Sequence, residues 1–231
     1  MKYIEKRAEP AELIEYKKTP GVCYEDMASR PAVRNPVKQS LVEEQGFICC
    51  YCGQRIANDS STNIEHLKSR KNYPHLDLSY ENMLASCDGG SAKRSERDSS
   101  GKRINKKYPE FCDAHKHESD IPVHPLQNDC AEHFVFDKDG QIIYDEDDLA
   151  AEETVRKLNL DNAVLVNMRR ETIAKYVNET HSKEEWMRIA VEVMTPDQAG
   201  QLKPFCFAIY SYIWNFKVIV IPAEEQVAGI V

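Results

Sequence analysis

The sequence predicts an α+β fold, a small strand-containing core organised by cysteines and followed by a mainly helical C-terminal region. Three observations lead there. A C-x-x-C pair, Cys49 and Cys52, is followed by Cys87 and Cys112 among short, apolar-flanked segments. The runs His133–Phe136 and Gln141–Tyr144 flank an Asp-Gly turn, which is a hairpin signal. From about residue 147 onward, apolar residues recur at helical spacing.

With 231 residues, the chain can bury a real core. Residues 1–38 read as an extended N-terminal arm, suited to docking a partner. They contain one short helical pattern, Ala11 to Tyr16, and then a stretch punctuated by Pro20, Gly21, Pro31 and Pro36. Residues 39–146 form the core. A helix from Val37 is stopped by Gly46, and Phe47–Cys49 enters a short strand and a metal knuckle whose turn Gly53 relieves. Asn63–Leu67 is the next strand, and Tyr80–Cys87 follows a loop rich in Tyr, Pro and Asp. Residues 88–111 are rich in Gly, Ser, Lys and Arg and read as a flexible insertion. Cys112–His117 opens a helix. Residues 147–231 are assigned to helices over Leu149–Leu158, from Asn162 to about Val177, and from Ser182 with Glu185 completing a capping box. Phe205–Phe216 reads as a buried helix.

No apolar run approaches the roughly 20 residues that span a bilayer, and the N-terminus is charged without a signal-peptide apolar region. A cytoplasmic location without membrane attachment is expected, and eight cysteines there argue against a disulfide framework. The formal net charge is −8, yet residues 93–107 carry seven basic and two acidic side chains. Lys93, Arg94, Arg97, Lys102, Arg103, Lys106 and Lys107 are therefore the candidate grip on a nucleic-acid backbone, although such a run also suits a solvated loop.

Zinc takes four ligands in a tetrahedron, commonly two from each of two knuckles. Cys49 and Cys52 supply one pair and Cys87 and Cys112 the other, so a structural Zn²⁺ is expected. Cys23, Cys50, Cys130 and Cys206 read as small buried hydrophobes. Glu65 and His66 lie on opposite faces of a strand and can serve one site only if the strand ends there. A neutral imidazole is suited to taking a proton from water. Asp113 and His117, four residues apart on a helix, share a face and make half of a divalent-metal site.

The order C-x-x-C, Glu65-His66, Tyr80-x-Asn82-x-Leu84, then Cys87 and Cys112-x-x-x-Lys116 resembles the zinc-bearing HNH endonucleases. The resemblance implies a two-strand, one-helix (ββα-metal) core. In it His66 activates water, Glu65 and Asp113 hold a catalytic Mg²⁺ or Mn²⁺, and Asn82 braces the loop that aims His66. It also implies 5′-phosphate and 3′-hydroxyl products. The opening Met1-Lys2-Tyr3-Ile4, the arm, the hairpin and Leu158-Asn159-Leu160 are similar to the PtuB-like members. Those members imply a role in Septu or retron-associated anti-phage defence. The implied partners are a PtuA-like ATPase, a DNA or RNA substrate, and in retron systems a reverse transcriptase with its multicopy single-stranded DNA. Asp113 departs from the His or Asn usual at its position, which leaves His115 and His117 as rival ligands, and the Cys87–Cys112 spacing is long. Two other readings stand beside this one. One is a non-catalytic zinc-binding interaction module. The other is a zinc hydrolase with ligands among His115, His117, His124 and His133.

Overall fold

A computed structural model describes residues 1–177 and 181–218. Helices α1 (Ala11–Lys17), α2 (Tyr24–Ala28) and α3 (Pro31–Glu44) precede an antiparallel pair, β1 (Thr62–His66) and β2 (Met83–Cys87). Then come α4 (Ser91–Ser95), the one-turn α5 (Asp113–Lys116) and the hairpin β3 (Val135–Phe136) with β4 (Ile142–Ile143). Helices α6 (Leu149–Leu158), α7 (Ala163–Ala174), α8 (Lys183–Met194) and α9 (Cys206–Ile213) follow, and a π-helical turn over Trp214–Val218 completes the described chain. The fold is α+β, as expected. The end of the expected helical region, 219–231, lies outside the described residues, as do 178–180. Among the described residues no helix is long and apolar enough to cross a membrane.

The expectation of an extended arm over residues 1–38 is corrected. Met1, Ile4, Leu13 and Tyr16 are all buried in the core, and the Ile4 N–H donates to the Pro125 carbonyl at 2.7 Å. The prolines do not break these helices but start them. Pro10 directly precedes α1 and Pro31 opens α3, where the missing N–H would be unpaired anyway. Pro36 does sit inside α3, which continues past it to bury Val37, Leu41 and Val42. Past the end of α3, Phe47 N–H bonds to the Val42 carbonyl and Gly46 N–H to the Glu43 carbonyl, a Schellman closure.

β1 and β2 pair from Thr62 opposite Cys87 to His66 opposite Met83. The other edge of β2 is not left bare. The Gln45 side chain accepts from the Ala85 N–H at 2.7 Å and donates to the Ala85 carbonyl at 2.8 Å, and Cys50 N–H reaches that same carbonyl. A buried sheet edge with unpaired amides would be costly, so α3 is fastened to β2 by chemistry as well as by packing.

The 88–111 segment is also more built than expected of a flexible insertion. It contains α4 and a tight turn in which the Asp98 carboxylate accepts from the Ser100 and Lys102 N–H groups. Its two ends meet. Arg94 donates to the Gly89 and Pro109 carbonyls, each at 2.9 Å, and pairs with Glu110. A Cβ on Gly89 would lie 2.3 Å from the Phe111 carbonyl, so this approach needs glycine. The long spacing between Cys87 and Cys112 is therefore a closed excursion that returns beside its start.

The C-terminal helices follow the sequence closely. Asp148, Asn162 and Ser182 cap α6, α7 and α8, the last through the expected capping box. The loop 137–141 closes the β3–β4 hairpin, and buried Arg169 of α7 donates to its Gly140 carbonyl at 2.7 Å. Phe205, just before α9, rests on the knuckle, its N–H bonded to the Gly53 carbonyl at 2.7 Å.

Packing of the N-terminal segment gives a direct expectation. Leu13 is fully buried, so Leu13→Ala should cost about 2–5 kcal/mol in urea unfolding. An unchanged midpoint would mean that α1 does not pack on the core.

Candidate metal centre and adjoining pocket

The Cys49–Cys52 knuckle turns tightly, with the Gly53 N–H on the Cys49 carbonyl at 3.0 Å and the Cys49 N–H on the Gln54 carbonyl at 2.8 Å. Cys87 ends β2, and Cys112 precedes α5, its N–H held by the Leu158 carbonyl at 2.8 Å. The four sulfurs of Cys49, Cys52, Cys87 and Cys112 all lie within 4.8 Å of one another. Cys49 and Cys112 are 3.9 Å apart, and Cys52 and Cys87 4.0 Å. Tetrahedral zinc with bonds near 2.3 Å sets its sulfurs about 3.8 Å apart. The cluster can hold a metal ion such as zinc.

Electrostatics agree with that donor set. Burial pushes the Cys49 thiol up, but hydrogen bonds from Cys112, Cys50, Cys52 and Cys87 outweigh it and hold it well below the usual value. Burial, with the Cys49 thiolate, pushes Cys112 well above it. Buried thiols without a cation have to share protons in this way, whereas a bound metal takes them as thiolates. Cys50, Cys130 and Cys206 are buried, as expected of structural cysteines, whereas Cys23 is half-exposed.

On the far side of β1 lies a polar cavity of about 580 Å³. Glu65, His66, Asp113 and His117 all line it, with Arg70 and Lys71 on its wall. β1 ends at His66, which is the condition for Glu65 and His66 to face one site. The His66 ring is buried, with Nε2 at 2.8 Å from the Asp77 carbonyl and the Tyr24 ring edge-on at 4.5 Å. A carbonyl only accepts, so Nε2 carries the proton and Nδ1 keeps the lone pair. Burial lowers the imidazole pKa to about 4; the Asp77 carbonyl opposes this and Arg70 adds to it. His66 is neutral at pH 7.

Asn82 lies behind the cavity wall. Its Oδ1 accepts from the Lys68 N–H at 2.8 Å, and Nδ2 donates to the Lys68 carbonyl at 2.9 Å and the Leu76 carbonyl at 3.3 Å. One amide thus ties both ends of the loop that carries the Asp77 carbonyl.

Buried Glu65 accepts at Oε1 from the Tyr51 hydroxyl at 2.8 Å and from Lys116 Nζ at 2.9 Å. Burial first, and then the charge of Asp113, raise its carboxyl well above the usual range, with Lys116 opposing. Lys116 is fully buried and also donates to the His66 carbonyl at 3.1 Å. Asp113 accepts from Asn63 Nδ2 at 3.1 Å. Glu65, Asp113 and His117 share the cavity, but among the described residues only the four cysteines bring three or more such donor atoms so close together. His115 turns away, Nδ1 on the Lys157 carbonyl at 2.9 Å, and does not line the cavity. None of His115, His117, His124 and His133 belongs to a closed donor group among the described residues.

The basic insertion is not brought to this cavity. Lys102, Arg103, Lys106 and Lys107 line separate grooves that share no residue with it. Lys93 pairs with Glu96, and Arg97 donates to the Gly101 carbonyl. Sequence reasoning missed Tyr24, Tyr51 and Asp77. Lys116 stood in the quoted Cys-x-x-x-Lys pattern without a role. The signal for Tyr51 was its place inside the C-x-x-C pair. Tyr24 and Asp77 act through contacts distant in sequence and gave none.

The sequence matches no protein-family model and no curated protein.

Two measurements check this geometry. Elemental analysis of the purified chain should find about one zinc per chain. Cys112→Ser should lose it and Cys130→Ser should keep it; retention in Cys112→Ser would remove that ligand. NMR of the zinc-loaded chain should show the His66 ring titrating near pH 4. The unfolded chain takes up that proton first, near the ordinary value of about 6.5. The stability His66 contributes is therefore present above that pH and is lost as pH falls toward the folded value. A midpoint near the ordinary value would mean a solvated ring.

Proposed function

We propose that the chain is a metal-dependent endonuclease of the HNH type, with a structural zinc on the four cysteines and His66 as general base. The observation that carries this reading is a neutral His66 sharing a cavity with Glu65 and Asp113, lined by the end of β1, the loop from Ser69 to Asp77 and the α5 segment. Its Nε2 is committed to the Asp77 carbonyl, so Nδ1 is the atom that takes the proton from an attacking water. Asn82 acts on His66 through the loop it ties, and Tyr24 backs the ring.

The donor set fits a hard divalent cation such as Mg²⁺ or Mn²⁺, because two carboxylates that repel each other face one polar cavity beside His117. When bound, that ion would supply Lewis-acid stabilisation to the phosphate and the leaving oxygen. Tyr51 and Lys116 hold Glu65 by one oxygen, and Asp113 stands within hydrogen-bond reach of the same carboxyl group. Arg70 and Lys71 on the cavity wall add positive charge toward an incoming phosphodiester, although each also pairs with a carboxylate, Glu25 and Glu118 respectively. The similarity to PtuB-like nucleases extends the proposal to an anti-phage effector that works with a PtuA-like ATPase. The N-terminal segment packs on the core through Met1, Ile4, Leu13 and Tyr16, and its exposed faces stay the candidate docking surface for that ATPase.

The test is cleavage of plasmid DNA and of cellular RNA with Mg²⁺ or Mn²⁺, with and without that ATPase. His66→Ala should lower the rate by about 10²–10⁴-fold. Full activity in His66→Ala would remove it as the base. No cleavage by folded, zinc-loaded protein under any condition would leave the zinc-binding interaction module as the reading.

A further inference from the structure

A second polar cavity, of about 300 Å³, adjoins the first and shares Ile64 and Asp113 with it. Its other lining includes Tyr24 from α2 and, from α3, Arg34 and Lys38. Arg34 and Lys38 are one helical turn apart and so lie on one face of α3.

Their charges are oriented but not neutralised. Lys38 Nζ donates to the Asp59 carbonyl at 2.7 Å and the Thr62 carbonyl at 2.9 Å, while Arg34 donates to the Ala28 carbonyl at 3.3 Å and to the Asn35 side chain. All of these acceptors are uncharged. The two cations on the wall of the first cavity are matched to carboxylates, Arg70 to Glu25 and Lys71 to Glu118. Among the described residues Arg34 and Lys38 form no ion pair. Burial first, and then the nearby positive charge of Arg34, lower the Lys38 pKa, with Asp59 opposing. Two like charges held together over a cavity favour an anion between them.

We propose that Arg34 and Lys38 bind the phosphate next to the scissile one, so that a nucleic-acid strand runs from the His66 cavity across α3. This rests on the nuclease reading above and adds the path of its substrate. On this path the N-terminal helices form a wall of the substrate groove, and Asp113 marks the boundary between the two phosphate positions. The insertion's grooves share no residue with either of these cavities.

The experiment compares zinc-loaded full-length His66→Ala with the same chain carrying Arg34→Gln and Lys38→Gln. Binding of labelled single-stranded and duplex oligonucleotides is measured by anisotropy over a salt series, beside cleavage by the parent with His66 intact. Losing the one phosphate that the two cations hold together should reduce the slope of log affinity against log salt by about 0.7 for single strands and about 0.9 for duplex. Arg34→Lys with Lys38→Arg should restore most of it, which a purely structural role for Lys38 would not predict. Thermal melts confirm that each variant is folded, and Arg34→Gln alone, which leaves the Lys38 contacts in place, should give about half the change. Lys138→Gln with Lys175→Gln, both exposed and far along the chain, controls for net charge.

An unchanged slope in a parent that binds and cleaves would overturn this site and leave the nuclease reading standing. An equal loss in the Lys138 and Lys175 control would also overturn it, as a net-charge effect. A parent that neither binds nor cleaves nucleic acid would bring down both.

Discussion

The convergence of the Cys49, Cys52, Cys87 and Cys112 sulfurs, all within 4.8 Å of one another, joins three short segments distant in sequence. The knuckle is a turn, β2 is five residues long and α5 is a single turn. None would be stable alone, since a short helix or an isolated two-stranded pair is marginal in water. Once the sulfurs meet, α5 is fixed against the end of β1, and Asp113, the residue after Cys112, is carried to the Glu65–His66 cavity. A metal ion such as zinc at that point would contribute folding energy directly. Around it the chain supplies its own braces: the Gln45 amide on β2, the Phe205 N–H on Gly53 and the Leu158 carbonyl under Cys112.

A second constraint is buried charge. Lys116 is fully buried against Glu65, and a buried pair of this kind is weak evidence for stability because desolvation offsets the attraction. Its value here is geometric. Lys116 also holds the His66 carbonyl and Tyr51 holds Glu65, so the strand end is pinned from both sides. The Asn82 amide does the same for the loop that reaches Asp77. His66 is thus kept neutral by burial and oriented by main chain.

Local signals in the sequence transferred well where the controlling interaction is itself local. Asp148, Asn162 and Ser182 bond to N–H groups two or three residues away, so the starts of α6, α7 and α8 were legible. The β3–β4 hairpin was legible from its turn for the same reason, and the four-cysteine set from chemistry and count. The N-terminal helices were not legible because proline reads as punctuation, whereas Pro31 starts α3 and Pro36 is accommodated inside it. The closure of the insertion was not legible because composition does not show that Arg94 bonds the carbonyls at its two ends.

The candidate site was legible as residues but not as a place. Glu65, His66, Asn82, Asp113 and His117 could be named from motif and spacing, and so could the four cysteines that can hold a metal. What only the tertiary structure decided was which groups face one another. It put His117 on the cavity and turned His115 to the Lys157 carbonyl. It left the basic insertion elsewhere and brought Tyr24, Arg34 and Lys38 from the N-terminal helices to its edge. The reason is physical. Helix caps, turns and ligand chemistry are set by neighbours in the chain, whereas the choice among competing histidines and cations depends on long-range packing that no short window of sequence contains.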